Sequence, residues 1–452
     1  MASHFKQPDS TKKTEAPVAS RKTPLIAAAV VVALALCGAG LWWAFGQTGS
    51  APQGQVDEPQ QVTPPVSDDP AADDVDEEPA EEEPEDTGLP FSLEGVEVTG
   101  DVREVSAEGA AMATLEGEWT FGGDYVRIGS FPIDAQTVFG STTSDANDLT
   151  AYVAALVSTS GDQALEGVQT EEPFFEPQDG TGTAERLVWR SSELSFVPTT
   201  GTDNWRLQTW DAATGQVLTL GSAESLNGTA DTPMLDGEIV PTANSTHALF
   251  ASYRSVDGSW VPTVLAYDLS VVGGEPVIIG EGGYPAAIEG GALWAGVRDG
   301  GDVANGLTTL WRWDGASSSE VFSVSCEEGT WGITGVWACG STRAVALSSS
   351  DVAQGCYIGI WKDDFSSFAG WLHVASPRAV GSLNENWFVW GAGSEAENTD
   401  MFAYRIADGE TLLLGNAPGY ARPSIALESD VVLVPVSDGY NAASFRVGIM
   451  GS

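Results

Sequence analysis

Eight side chains stand where one apolar repeat of this chain hands over to the next: Phe131, Phe174, Met234, Tyr284, Trp331, Arg378, Tyr420 and Arg422. Aromatic and arginine side chains dominate recognition surfaces, because a ring brings a large apolar face and a guanidinium a planar fork of donors. If the handover segments converge, the eight form a ligand-binding funnel. Arg378 and Arg422 would then fix an anionic group of the ligand.

Catalytic chemistry is weakly marked. The patterns G-x-S-x-G, G-x-G-x-x-G and the P-loop are absent. Beyond residue 90 there are two histidines, His247 and His373, and three cysteines, Cys326, Cys339 and Cys356. That set leaves a zinc site short of a fourth ligand nearby, and one disulfide fits an oxidising exterior without its pairing being fixed by spacing. Ser255–Trp260 is similar to the Asp-box turn of sialidase propellers but two residues short, and reads as a hairpin turn. The 48 acidic residues beyond position 90 supply many carboxylate pairs, so a glycan hydrolase or lyase using such a pair is the alternative to a binder. No catalytic residue, metal ligand or cofactor is assigned.

The elements that must position these residues follow from a periodicity. Pro132, Pro173, Pro233, Pro285, Pro377 and Pro423 each open a short apolar stretch, and one interval is double, which puts a further copy near Trp331. Repeats of this length indicate blades or arrays. After each opening come a short apolar strand, a polar turn, and a β-rich strand such as Ala292–Val297, Trp387–Trp390 or Val431–Val434. A third strand is centred on Trp210, Tyr267, Trp313, Trp361 or Tyr404, and a fourth follows, as in Val217–Leu220, Val277–Ile279 and Leu412–Leu414. Four strands per repeat without helical periodicity predict an all-β, seven-bladed β-propeller over residues 91–452, with six or eight blades as alternatives. The last repeat lacks a fourth strand, and Asp124–Gly129 is expected to supply it and close the ring. Residues 91–118 have no place in this scheme.

Trp210-Asp211-Ala212-Ala213-Thr214-Gly215-Gln216-Val217-Leu218 resembles the repeat of the bacterial quinoprotein-type (PQQ-like) β-propeller superfamily, and Tyr404–Leu414 echoes it. The Trp-Asp and Tyr-Asp pairs at 210, 267 and 313 also resemble the ending of WD repeats, without that family's histidines. The resemblance implies the fold. Quinoprotein dehydrogenases pair their cofactor with calcium and, in many members, with a disulfide between neighbouring cysteines. This chain has no adjacent cysteines, so the resemblance does not carry that cofactor over.

The rest of the chain bears on location. Residues 1–23 carry five Lys and Arg against two acids and read as a disordered cytoplasmic tail. Residues 24–46 hold no charge and, at 1.5 Å per residue, cover about 30 Å, the thickness of a bilayer core. Basic residues precede the span and none follows until 103, which predicts a cytoplasmic N-terminus and a single-pass transmembrane helix. Large Leu36 before Cys37 argues against a lipoprotein signal, and the length of the apolar run against a cleaved one. Residues 47–90 hold 14 acids, eight prolines and no basic residue, and read as an extended acidic linker. Residues 91–452 carry 48 acids against 14 bases, a formal charge of −34 that repels phosphate backbones and anionic headgroups. Nucleic acid is therefore excluded as a partner. The expectation is an extracellular binding or scaffolding module at the bacterial cell envelope, with a protein, peptide or glycan as partner and the membrane contacted through residues 24–46.

Overall fold

The computed structural model describes residues 88–452 except 124–125, 195–201, 236–239, 299–305, 328, 394–397, 420, 438–442 and 452. The tail, the expected transmembrane segment and nearly all of the acidic linker lie outside the described residues. Among those described, no helix is long and apolar enough to cross a membrane.

Each repeat folds into a four-stranded antiparallel meander, because short β-branched and aromatic runs separated by Gly-, Asp- and Asn-rich turns favour hairpin pairing over helix. Meander I comprises Arg127–Asp134, Thr137–Thr142, Val153–Ser158 and Gln163–Ala164. Meander II comprises Phe175–Gly182, Arg186–Glu193, Trp205–Asp211 and Gln216–Ser222. Meander III comprises Thr242–Ala243, His247–Val256, Ser259–Asp268 and the first half of Val277–Ile288. The second half of that long strand opens meander IV, which continues through Gly291–Gly296, Thr309–Trp313 and Ser318–Ser325. Meander V is Trp331–Cys339, Thr342–Ser349, Cys356–Lys362 and Ser367–Val374. Meander VI is Ala379–Leu383, Trp387–Ala392, Asn398–Arg405 and Thr411–Pro418. Meander VII is Ser424–Ile425, Val431–Ser437 and Ala443–Met450, with Leu115–Gly122 as its outer strand.

The shared strand of III and IV is kinked where its pairing register shifts, between Gly283 and Ala286. A β-carbon on Gly282 would collide with the Ala295 carbonyl, and Tyr284 follows at φ 54°. Glycine permits the close approach, and the left-handed tyrosine turns the chain from one sheet into the next.

Apolar clusters occupy every interface between consecutive meanders, and the cycle closes. Phe121, Phe445 and Leu433 of VII pack with Val138 and Val157 of I. Tyr404, Phe402 and Phe388 of VI meet Ile358 and Leu372 of V in the same way. The third-strand aromatics Trp210, Tyr267, Trp313, Trp361 and Tyr404 are all buried. The aspartates after three of them close the turn to the fourth strand. Asp211 accepts from Thr214 N at 3.0 Å, Asp268 from Ser270 Oγ at 2.6 Å and Ser270 N at 2.8 Å, and Asp314 from Ser317 N at 2.8 Å. These donated hydrogen bonds hold all three carboxyls below the ordinary aspartate range.

Three expectations about boundaries change. The strand that completes the last meander is Leu115–Gly122 rather than Asp124–Gly129, since Arg127–Asp134 is needed as the first strand of meander I. Pro233 makes only an isolated bridge with Thr202, and meander III opens after Pro241. Residues 88–112 form a strap around the outer edges of successive meanders. Ser92–Glu94 pairs antiparallel with the last strand of IV, Val102–Glu104 parallel with that of V, and Ala111–Met112 parallel with that of VI. The strap is anchored by Phe91, whose ring lies 5.0, 5.4 and 5.2 Å from those of Trp331, Tyr357 and Trp371.

Truncating the Phe91 ring leaves that aromatic pocket unfilled, so Phe91→Ala is expected to cost about 3 kcal/mol, read as a lower urea midpoint. Removal of residues through Gly122 is expected to abolish the cooperative transition, whereas removal through Gly109 alone should lower its midpoint and preserve its sharpness.

Candidate functional site

The first strands of all seven meanders meet around one cavity of about 510 Å³. Phe131 comes from I, Thr181 from II, Ala243 from III, Ala287 from IV, Val336 from V, Leu383 from VI and Ser424 from VII. Small side chains dominate because the innermost strands converge here and leave little room for bulk. Trp337 supplies the largest ring in the wall. Two charged residues line the space, Glu289 and Arg422.

Of the eight residues expected at a funnel, the structure brings Phe131, Tyr284 and Arg422 to this cavity. Trp331 is buried in the aromatic pocket that receives Phe91 and does not line the cavity. Met234 is 56 % exposed and Arg378 is exposed, neither lining the cavity. Phe174 is half-buried and contributes its carbonyl to Leu194 N at 2.8 Å. Tyr420 lies outside the described residues. The cavity extends toward the turns that join first and second strands, through Asn244, Ser245, Glu289 and Gly340, which the handover segments did not indicate. The signal that could have found it is the run of small residues on the innermost strands, Ala286–Ala287 and Gly381–Ser382.

A chain of four alternating charges crosses one side of the ring. Arg190 donates to Asp203 at 2.5 Å and to Asp179 at 3.1 Å, and Arg422 lies 3.6 Å from the other oxygen of Asp179. Asp179 belongs to meander II and Arg422 to the entry of VII, so the contact passes over meander I. Burial opposes ionisation of Asp179, but Arg422 and Arg190 outweigh it and hold the carboxyl below the ordinary range. Burial likewise opposes the charge on Arg190, and Asp203 with Asp179 raises its pKa. Arg190 and Asp203 side chains are 8 % and 7 % exposed, so each depends on the other for solvation.

Other reactive groups are occupied elsewhere. His373 sits on the outer strand of meander V, where Nδ1 meets Glu104 of the strap at 2.7 Å and Nε2 meets the Gln354 carbonyl at 3.0 Å. His247 packs edge-on to Trp313 and bonds Thr246. Cys326, Cys339 and Cys356 are all free thiols. Burial, reinforced by Glu385, pushes the Cys339 thiol up to about 11, and burial does the same for Cys356. A nucleophilic cysteine needs the opposite shift. No group of His, Cys, Asp and Glu among the described residues could hold a metal ion.

No family model matches the sequence, and no curated protein matches it. Among solved structures, TolB from Acinetobacter baumannii is 14 % identical with a TM-score of 0.37, covering 64 % of this chain and 66 % of its own. This chain thus spans just under two thirds of that structure. The uncharacterized protein lmo1340 from Listeria monocytogenes is 8 % identical at a TM-score of 0.41, covering 69 % of this chain and 89 % of its own. The β-propeller domain of the Trilobed protease from Pyrococcus furiosus is 8 % identical at a TM-score of 0.43, over 73 % and 95 %.

Asp203→Asn leaves the Arg190 charge short of a partner and is expected to destabilise the fold by about 3 kcal/mol in chemical denaturation. Asp179→Asn tests the outer pair by pH. Because the folded carboxyl is depressed, its contribution is full above the unfolded value near 4 and is lost as pH falls through the lower folded value. The melting temperatures of wild type and Asp179→Asn should therefore differ at pH 7 and converge on acidification below about pH 4.

Proposed function

We propose that this chain is a single-pass membrane protein that displays a seven-bladed β-propeller outside the cell on an acidic linker. The propeller acts as a binding or scaffolding module for a cell-envelope protein, peptide or glycan. The observation that carries this reading is the cavity itself: every meander contributes its first strand to it, and its wall of small neutral and apolar residues includes a single carboxylate, Glu289. A concave, largely apolar space with a few polar groups is the usual form of a ligand site. Seven meanders with seven interfaces support the blade count, and the Asp211–Gly215 turn supports kinship with PQQ-like propellers at the level of fold. The charge-free stretch 24–46 supports the anchor, which would raise the local concentration of a binder without adding chemistry.

A hydrolase or lyase reading keeps one specific observation. Burial raises the Glu176 carboxyl while Asp179, three residues along the same innermost strand, is lowered, and carboxylates driven apart in this way can serve as acid and base. Against it, Asp179 is committed to two guanidiniums.

The test is a glycan and peptide array probed with the purified chain, followed by product analysis of each hit. The binding reading expects saturable capture with no turnover, lost when Ala287→Trp fills the cavity. Turnover that disappears in Glu176→Gln would establish the enzyme instead. Protease protection in intact cells checks the anchor: the reading expects residues 91–452 to be digested from outside.

A further inference from the structure

We infer that the outer edge of meander III is a docking strand for a second polypeptide, which adds beside Val277 and Ile278 as an extended apolar segment flanked by basic residues. The fold itself shows the mode. In meander VI, Leu412 and Leu413 pair with Ala403 and Phe402, one and two residues before the third-strand aromatic Tyr404, and the register then shifts. Their outer side receives Ala111–Met112 of the strap as a parallel strand, and Ala113 N donates to the Leu413 carbonyl at 2.8 Å. In meander III, Val277 and Ile278 pair with Ala266 and Leu265, one and two residues before Tyr267, and the register shifts at the same point. They hold the position at which VI takes its added strand. Among the described residues, no strand pairs with their outer side.

Burial separates the two edges. Leu412 and Leu413 are half-buried, whereas Val277 and Ile278 are 48 % and 46 % exposed. Val271 and Val272, in the loop that leads to them, are 44 % and 64 % exposed and enlarge the apolar surface. Covering these side chains is favourable, and the free edge offers an incoming chain main-chain partners. Meanders II and IV do not offer this. At the equivalent positions IV has the polar Ser319 and Glu320, and II has Leu218 and Thr219, where Gly273 N already donates to the Thr219 carbonyl at 3.0 Å. The partner's charge follows from the surroundings. Residues 242–288 hold one arginine, Arg254, and no lysine, against Asp257, Asp268, Glu275 and Glu281. A second copy would bring its own formal charge of −34 and be repelled, and residues 47–87 of this chain are rich in acid and proline, not in strand formers. A basic segment is drawn to the same edge. Val277 and Ile278 do not line the central cavity, so this surface stands apart from the reading of the cavity as a binding site.

The test follows the fluorescence anisotropy of a labelled peptide, Lys-Lys-Thr-Val-Thr-Val-Thr-Val-Lys-Lys, titrated at pH 7 with the full chain in a neutral detergent. The expected result is saturable binding that weakens about tenfold when alternate peptide amides are N-methylated, because each methyl removes a main-chain donor. Val277→Thr combined with Ile278→Thr keeps strand propensity, and should weaken binding about fivefold at an unchanged melting temperature by removing apolar contact. Glutamates in place of the flanking lysines should weaken it too, and Ala287→Trp, folded as judged by its melting temperature, should leave it unchanged. Absence of binding, or binding indifferent to N-methylation or to the two threonines, would overturn the edge as a docking strand. Equal or tighter binding of the glutamate peptide would overturn the basic partner. Loss of binding in Ala287→Trp alone would place the peptide in the cavity, overturning the edge while upholding the cavity reading. Self-association in sedimentation velocity that the two threonines abolish would make a second copy the occupant instead.

Discussion

Pairing of Leu115–Gly122, just before meander I, with Ala443–Met450 of meander VII closes the sheets on one another, and the rest of the structure depends on it. Each meander buries its two faces against two neighbours, so an open array would leave two apolar faces and a sheet edge in water. The closing strand prevents this by completing meander VII, which brings Phe121 and Phe445 onto Val138 and Val157 of meander I. With that interface made, all the clusters between meanders are mutually supported. The central cavity is a consequence, since its wall exists only when the first strands face one another.

The electrostatics divide the molecule's interior. Toward the handover side, alternating Asp203, Arg190, Asp179 and Arg422 sum to no net charge and tie meander II to the entry of VII. Toward the turn side, the one carboxylate that lines the cavity is the exposed Glu289. Most other arginines pair with carboxylates of their own meander, as Arg127 does with Asp162 and Arg186 with Asp211, while Arg312 and Asp364 bridge IV and V.

How much could be seen in the residues alone depended on the range of the interaction. The third-strand aromatics were legible because the same position in successive repeats meets the same neighbour, the meander before it, and the aspartates because each carboxylate caps a turn two or three residues away. The repeat frame slipped at Pro233, because a proline before an apolar residue signals a strand start only if the following stretch also pairs; here Pro241 serves. The strap was illegible for a stronger reason. Its strands are two or three residues long, largely exposed, and partly parallel, so they show no alternation of apolar and polar positions. Trp331 misled in the same way, since an aromatic at a handover position does not reveal that a ring 240 residues earlier fills the space beside it. Glu289 was not indicated because it lies in the turn after the first strand of meander IV, away from the handover segments.

The order of the strap's contacts has a mechanical meaning. Reading inward from residue 88, the chain docks first at meander IV, then V, then VI, and only afterwards becomes the strand that seals the ring. Any disturbance that enters from the N-terminal side, whether tension or a nibbling peptidase, must detach these sites one after another before it reaches the seal. The strap behaves as a set of sacrificial fasteners in series, and the part of the molecule whose loss would be catastrophic is the last to feel the load.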